Sequence, residues 1–330
     1  MTVRSAPAAS AIFLADCGPA VGLGHVRRLL VLAVEFQRAQ VQCGFLVTDM
    51  RYADFVERAG IQATPWLDGD AVLPATDFVA IDGYGFDAGL SPRWASETGC
   101  TTIVVDDLGG RPTDADVIVN HNLYGEDIDY REYRMRALLA GPQYALVDPA
   151  FAALVKRMRL QSGRVLISFG GTDDGRYGEA AARAVLRQSS DAVVDLMLPS
   201  TAAAAGPRRL AEEYHGRCHI HVGAGMVDRL ATATVYLGAA GVTLLEAIAA
   251  GVDVVACAIA DNQRYNIGKL RSLSAPAFDR FMPDEMAAAA LRTPSAPNRL
   301  RLPAIDGRGA ERVVQAALRL RRHDAQARAG

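Results

Sequence analysis

The chain is poor in the features that would mark a nucleic-acid platform, a disulfide scaffold or a membrane anchor. Aromatic residues make up only 7% of its 330 positions, too few for a surface that reads single strands by stacking. There is no basic excess either. Lys and Arg number 35 against 37 Asp and Glu, a formal net charge of −2, which argues against nucleic-acid or membrane-surface binding. The five cysteines (Cys17, Cys43, Cys100, Cys218, Cys257) are odd in number and scattered, with no C-x-x-C pair. They read as reduced thiols and not as a disulfide framework or a zinc site. No run approaches the ~18 apolar residues of a spanning helix. The apolar run at residues 11–15 is too short for a signal-peptide core, and Asp16 ends it. Heptads and low-complexity blocks are missing too. The expectation is a soluble, cytoplasmic protein, a monomer or weak dimer.

What the chain does have is 50% hydrophobic residues in a pattern whose period keeps switching. Short β-branched runs at residues 11–15, 43–47, 78–81, 101–105 and 117–119 alternate with helical stripes. Between Gly24 and Ala39, for example, Val26, Leu29, Leu30, Ala33 and Phe36 recur at helical spacing. The second half repeats the theme, with strands expected at 164–168, 193–198, 220–222, 235–237 and 254–257. Helices are expected there at 177–186, 243–250, 262–272 and 310–321, and the tail after His323 reads as frayed. Strands alternating with helices predict α/β architecture with parallel sheets covered on both faces. The length suits two domains, 1–150 and 151–330, with the seam near 148–163 around the basic stretch Lys156-Arg157-Met158-Arg159. Ligands of such paired halves usually sit in a cleft between them.

The richest segment is Gly22-Leu23-Gly24-His25-Val26-Arg27-Arg28, where the first strand turns into the first helix. Gly22 and Gly24 allow a sharp turn with exposed amides. His25 falls in the first helical turn, where the helix dipole favours the neutral imidazole that a general base requires. Alone, such a histidine more often packs against its turn, but it has companions. Asp16, then Asp82 and Tyr84, then Asp106 and Asp107, then Asn120 and Asn122 close four successive strands. Turn and cap preferences explain any one of them and explain all four together poorly.

In the second half Gly170-Gly171-Thr172-Asp173 closes a strand, and Gly238-Ala239-Ala240-Gly241-Val242-Thr243-Leu244-Leu245-Glu246 enters a helix through small residues. Small side chains let a diphosphate approach amides 241–243, with the Thr243 hydroxyl beside it. Glu246 lies about one turn on, placed either to clamp ribose hydroxyls or to form a capping box with Thr243. Asn262 and Gln263 open the next helix and would complete a phosphate or sugar pocket. The segment lacks G-x-x-x-x-G-K-[ST], and no G-x-G-x-x-G follows the first strand in register, which disfavours P-loop NTPases and dehydrogenases. His215, Cys218, His219 and His221 invite a metal reading. With no carboxylate at ligand spacing they are expected to be solvated or packed, so no metal or cofactor is expected.

These segments resemble the UDP-2,4-diacetamido-2,4,6-trideoxy-β-L-altropyranose hydrolase family of pseudaminic acid biosynthesis. That family is related to spore-coat polysaccharide proteins and to the peptidoglycan N-acetylglucosaminyltransferase. The resemblance runs over most of residues 11–270, through Gly22 to Arg28, Ile81-Asp82-Gly83-Tyr84, Val105-Asp106-Asp107, Val119-Asn120-His121-Asn122, Gly141 to Leu146, Gly170 to Asp173, Gly241 to Glu246 and Asn262-Gln263. It implies a GT-B fold of two Rossmann-like doubly wound domains, a UDP-sugar substrate, UDP as product and no cofactor. His25 matches the family's base for the attacking water, Tyr84 a tyrosine beside the reacting sugar, and Asp16 a neighbour of the base. The sugar would meet Gly22, Gly24, Arg28, Asp82, Asp106, Asn120, Asn122, Asn262 and Gln263. The nucleotide would meet Gly170, Gly171, Thr172, Met226, Ala240, Gly241, Val242, Thr243 and Glu246. One departure stands out: Gly83 occupies a position where the family commonly carries histidine. The expected reaction is hydrolysis at the anomeric carbon with inversion. The alternatives are a glycosyltransferase using an alcohol acceptor and a non-catalytic nucleotide-sugar binder.

Overall fold

The computed structural model describes residues 9–19, 21–67, 73–156, 163–223, 225–292 and 304–329. Residues 157–159 of the basic stretch expected at the seam lie outside them. The chain divides into two compact units, Met1–Leu146 with Arg308–Gly330, and Val147–Gly307.

The first unit is built on seven strands: β1 (Ser10–Ala15), β2 (Gln42–Val47), β3 (Gln62–Pro65), β4 (Phe78–Asp82), β5 (Thr101–Val105), β6 (Asp114–Asn120) and β7 (Arg134–Ala140). They are parallel and run in the order β3-β2-β1-β4-β5-β6-β7. The crossovers include α1 (Gly24–Arg38), α2 (Ala53–Glu57) and α3 (Leu90–Thr98). Both faces of a parallel sheet are buried, which is why its strands read as near-unbroken apolar runs. Phe13 of β1 goes to one face, beside Phe36 of α1 and Phe45 of β2 at ring distances of 5.7 and 5.8 Å. Leu14 goes to the other, with Val79, Ile81 and the buried Trp94 of α3.

The second unit holds six parallel strands in the order β10-β9-β8-β11-β12-β13. They are β8 (Arg164–Ser168), β9 (Val193–Leu198), β10 (Cys218–Val222), β11 (Val235–Ala239), β12 (Asp253–Cys257) and the two-residue β13 (Ala277–Phe278). Its helices are α4 (Pro149–Ala153), α5 (Arg176–Gln188), α6 (Ala205–Glu213), α7 (Met226–Thr232), α8 (Val242–Ala249), α9 (Arg264–Ser272) and α10 (Pro283–Arg292). In each sheet the strand order reverses next to the first strand, between β1 and β4 and between β8 and β11. Open α/β sheets bind their ligands at the carboxyl ends of the strands at such switch points.

The last helix, α11 (Gly309–Ala329), corrects the expected boundary. Residues 308–330 belong to the first unit, not to a domain 151–330. Val313, Val314 and Ala317 are buried in the same core as Phe13 and Phe36. Gly309 lies so close to the backbone of Ala145 that a Cβ there would stand 2.2 Å from its carbonyl oxygen. The tail is not frayed after His323: the helix runs on to Ala329, and Arg136 Nη1 meets Asp324 Oδ2 at 2.8 Å.

Candidate active site

The turn from β1 into α1 places the first functional group. Gly22 adopts φ +80°, a left-handed conformation that favours glycine, and its amide donates to the Gly18 carbonyl at 2.7 Å. α1 starts at Gly24, so His25 is its second residue, and Arg28 follows three residues later on the same face. Because β1, β4, β5 and β6 are neighbours in the sheet, the residues that end them share one rim. Asp82 closes β4, Asp107 follows β5, and His121 and Asn122 follow β6.

These groups form one buried network. Nδ1 of His25 lies 2.7 Å from Asp82 Oδ1 and 2.8 Å from Arg28 Nη2. A bare Nδ1 would set its lone pair against a carboxylate oxygen, whereas Arg28 Nη2 already has Asp82 Oδ1 as acceptor at 2.6 Å. The Nδ1–H tautomer therefore fits, donating to Asp82 and leaving Nε2 as the basic nitrogen. Arg28 grips Asp82 with two bonds, Nε to Oδ2 and Nη2 to Oδ1, and donates through Nη1 to Asp107 Oδ2 at 2.8 Å. Tyr84 completes the group. Its hydroxyl donates to Asp107 Oδ2 at 2.7 Å, and its ring meets that of His25 edge-on at 4.8 Å.

Burial sets the electrostatics, and the partners decide its outcome. Burial alone would raise the pKa of Asp107, but Arg28, His121 and the Tyr84 hydroxyl overcome it and hold the carboxyl well below the usual range. Asp82 is likewise lowered: burial opposes ionisation, while Arg28 and His25 favour it. His121 is pushed down to about 4, first by burial and then by the neighbouring guanidinium. Its ring nitrogens face two N–H donors, Arg28 Nη1 at 3.0 Å and the Leu146 amide at 3.3 Å, which disfavours a second ring proton, and Asp107 Oδ1, 4.0 Å from Nε2, offsets this only in part. One guanidinium thus stands against two carboxylates, leaving the network net negative beside the His25 ring.

Other residues expected to meet the sugar also have structural partners. Asp106 accepts from the Leu108 and Gly109 amides at 2.8 and 3.0 Å and from the Tyr133 hydroxyl, closing its own turn. Asn120 is fully buried and donates to Tyr130 Oη at 2.9 Å, and Asn122 donates to Asp107 Oδ1 at 2.7 Å. Both asparagines brace the rim from behind. Asp16 pairs with Thr48 Oγ1 at 3.1 Å, so the carboxylate on the imidazole is Asp82 and not Asp16. Asp107 and His121 carry more of the network than their sequence signal indicated. Gly83 is packed tightly: a Cβ there would stand 2.4 Å from Asp16 Cβ and 2.7 Å from the Phe86 ring.

The second unit presents a different kind of rim. Gly170, Gly171 and Thr172 are exposed after β8, but Asp173 accepts from the Gly175, Tyr177 and Gly178 amides at 2.9, 3.3 and 3.2 Å. The N-terminus of α5 is therefore satisfied by its own carboxylate. At α8 the preceding residue is Gly241, which supplies no side-chain cap, and Val242 is the first helical residue. Thr243 is thus the second helical residue, two positions past the cap, so the capping box with Glu246 does not form. Thr243 and Glu246 are both buried, 8% and 4% exposed. Gln263 Nε2 lies 3.7 Å from where a Gly241 Cβ would stand, and Asn266 Nδ2 donates to Ala240 O at 3.1 Å. The loops around Ala240–Gly241 and Asn262–Gln263 therefore adjoin. Met226 is half-buried at the start of α7. His221 is neither simply solvated nor simply packed: its Nε2 meets Asp195 Oδ1 at 2.7 Å, a carboxylate supplied by the adjacent strand. Among the described residues no group of His, Cys, Asp and Glu is arranged to hold a metal ion, and no helix is long and apolar enough to cross a membrane.

No protein-family model matches the chain. It is similar to the UDP-2,4-diacetamido-2,4,6-trideoxy-beta-L-altropyranose hydrolase of Campylobacter jejuni, 26% identical over 169 residues, 49% of this chain and 60% of that protein. The match thus spans less than two thirds of the relative's length. Among solved structures it is similar to MurG of Acinetobacter baumannii, with a TM-score of 0.62 and 16% identity, covering 95% of this chain and 100% of that one. It is also similar to UGT89C1 of Arabidopsis thaliana complexed with UDP, with a TM-score of 0.63 and 13% identity over 94% and 99% of the two chains. CalG4, the calicheamicin glycosyltransferase, gives a TM-score of 0.59 at 15% identity over 96% and 98%. The fold is GT-B, with two parallel-sheet α/β units, as the sequence led us to expect.

Proposed function

We propose that the chain hydrolyses a UDP-linked acetamido-deoxy sugar, cleaving the C–O bond at the anomeric carbon. The observation that carries this reading is the His25–Asp82 pair at the switch point of the first sheet. Asp82 holds the ring as the Nδ1–H tautomer, so Nε2 takes a proton from water as the water oxygen bonds to the anomeric carbon from the face opposite the nucleotide. The C–O bond breaks with its electron pair going to UDP, and the sugar leaves with inverted configuration. A positioned base contributes typically ~10²–10⁴-fold. The rest comes from orientation and from stabilising the departing diphosphate.

The nucleotide role belongs to the second unit in this reading. The uncapped N-terminus of α8 offers amides and a favourable dipole to a diphosphate, and Thr243 adds a hydroxyl. Glu246, buried one turn into the same helix, is the candidate for the ribose hydroxyls. Gln263 and Asn262 adjoin the same loop, whereas the satisfied N-terminus of α5 makes Gly170, Gly171 and Thr172 flanking contacts at most. The similarity to the Campylobacter hydrolase supports hydrolysis.

The likeness to CalG4, a glycosyltransferase by name, makes transfer to an alcohol the reading to exclude. Incubation with UDP-sugars in H₂¹⁸O separates the two. Hydrolysis at carbon puts the label on the sugar. Label on UDP means P–O cleavage, and release of UDP only when an alcohol is added means transfer; either result overturns the proposal.

A further inference from the structure

A cavity beside the His25 network is lined by Ile81, Phe86, Val104, Ser91, Arg111 and Thr113, with Tyr84 shared between the two. Its walls are fixed in place. Arg111 donates to the carbonyls of Gly83 and Phe86, both at 3.2 Å, and Thr113 Oγ1 donates to the carbonyl of Ala88 at 2.5 Å. The loop from β4 to α3 is thereby tied to the loop from β5 to β6 at both ends. Gly83 keeps that loop against Asp16 at a distance no side chain permits.

Inside these walls one polar atom stands out. Ser91 is 2% exposed, and its hydroxyl is the one buried side-chain atom of the lining that has no hydrogen-bond partner. Such an orphan is uncommon in a native interior and calls for an occupant. The charges narrow its chemistry. Asp87 and Asp106 also line the cavity, so two carboxylates face one guanidinium and an anion is disfavoured. A cation would lose its hydration against Ile81, Val104 and Phe86. What remains is a neutral group with an apolar end and one hydrogen-bonding end.

We infer that this cavity seats the N-acyl substituent of the sugar, its methyl against Ile81, Val104 and Phe86 and its amide bonded to Ser91 Oγ. The inference rests on the proposed acetamido-sugar substrate and assigns Ser91 as the residue that selects it. Saturation-transfer NMR on the full chain tests it without the nucleotide. The probes are methyl N-acetylglucosaminide and methyl glucosaminide, with UDP in a separate sample. The acetyl methyl is expected to receive the strongest saturation, and Ser91→Val, which fills the cavity, to reduce that signal by about tenfold while the uracil signals of UDP stay unchanged. Should Ser91→Val not fold, Ser91→Ala is expected to lower the signal about threefold, with Ser91→Thr restoring it. Even saturation across the sugar ring, a methyl signal that survives the folded variant, or stronger saturation of the glucosaminide would overturn the assignment. Loss of UDP signals with the acetyl signal retained would count against the nucleotide reading alone.

Discussion

At the switch point of the first sheet the polar groups are side chains, locked to one another: His25, Arg28, Asp82, Asp107 and His121, all buried. At the switch point of the second, small residues and an uncapped helix end take their place, with Thr243 and Glu246 behind them. The strand orders match, yet the two rims present different chemistry, and the proposed reading gives them different tasks. A charged network in a low-dielectric setting fixes one tautomer and one orientation, which suits proton transfer. Amides at a helix end hold an anion without any side chain having to move, which suits gripping and releasing a diphosphate.

Substitutions should therefore separate chemistry from grip. His25→Asn is expected to lower kcat by ~10²–10⁴-fold while leaving the calorimetric Kd for UDP within about twofold. A matching loss of UDP affinity would erase the distinction. Arg28→Met leaves Asp82 and Asp107 buried without their shared cation, and breaking a buried pair in this way costs about 3–5 kcal/mol. Urea unfolding should show that loss. In the second unit Glu246→Gln should weaken UDP binding about tenfold, the scale of one hydrogen bond to a charged group, with kcat at saturation little changed.

Acid gives a subtler contrast. His121 has a folded pKa of about 4, below its unfolded value, so as pH falls from ~6.5 toward 4 the unfolded chain takes up a proton that the folded chain refuses. Stability should drop by about 1.4 kcal/mol per pH unit over that window, and His121→Gln should flatten the slope. Asp82 and Asp107 act in the same direction at lower pH, since carboxyls with lowered pKa contribute stability that is lost as they protonate. Asp173 has the opposite sign: burial raises its pKa, so its contribution fades as pH rises. Hydrogen exchange at pH 4.5 should therefore find α1 losing protection before α5.

Much of this contrast was legible in the sequence, because parallel strands buried on both faces must be written as apolar runs. Asp16, Asp82, Asp107 and Asn120 stand out as polar residues closing such runs, and strand adjacency turned that list into a rim. Which of two consecutive carboxylates entered the network was not legible. Asp106 and Asp107 differ only in the side of the chain they leave from. The edge strand β7 carries only a weak strand signal because Arg134 and Arg136 break its apolar run. The destination of α11 was equally hidden, since an amphipathic stripe specifies that a helix packs but not on which sheet. Asp173 read as part of a glycine loop, and only the fold shows it satisfying the amides that a phosphate would need.

The most direct test concerns the imidazole of His25. Long-range ¹⁵N–¹H correlation spectra of the histidine-labelled protein, with His25→Asn to assign the resonance, report which ring nitrogen carries the proton in the neutral form. The account predicts a protonated Nδ1, bonded to Asp82, and a bare Nε2. A neutral ring protonated at Nε2 would contradict it.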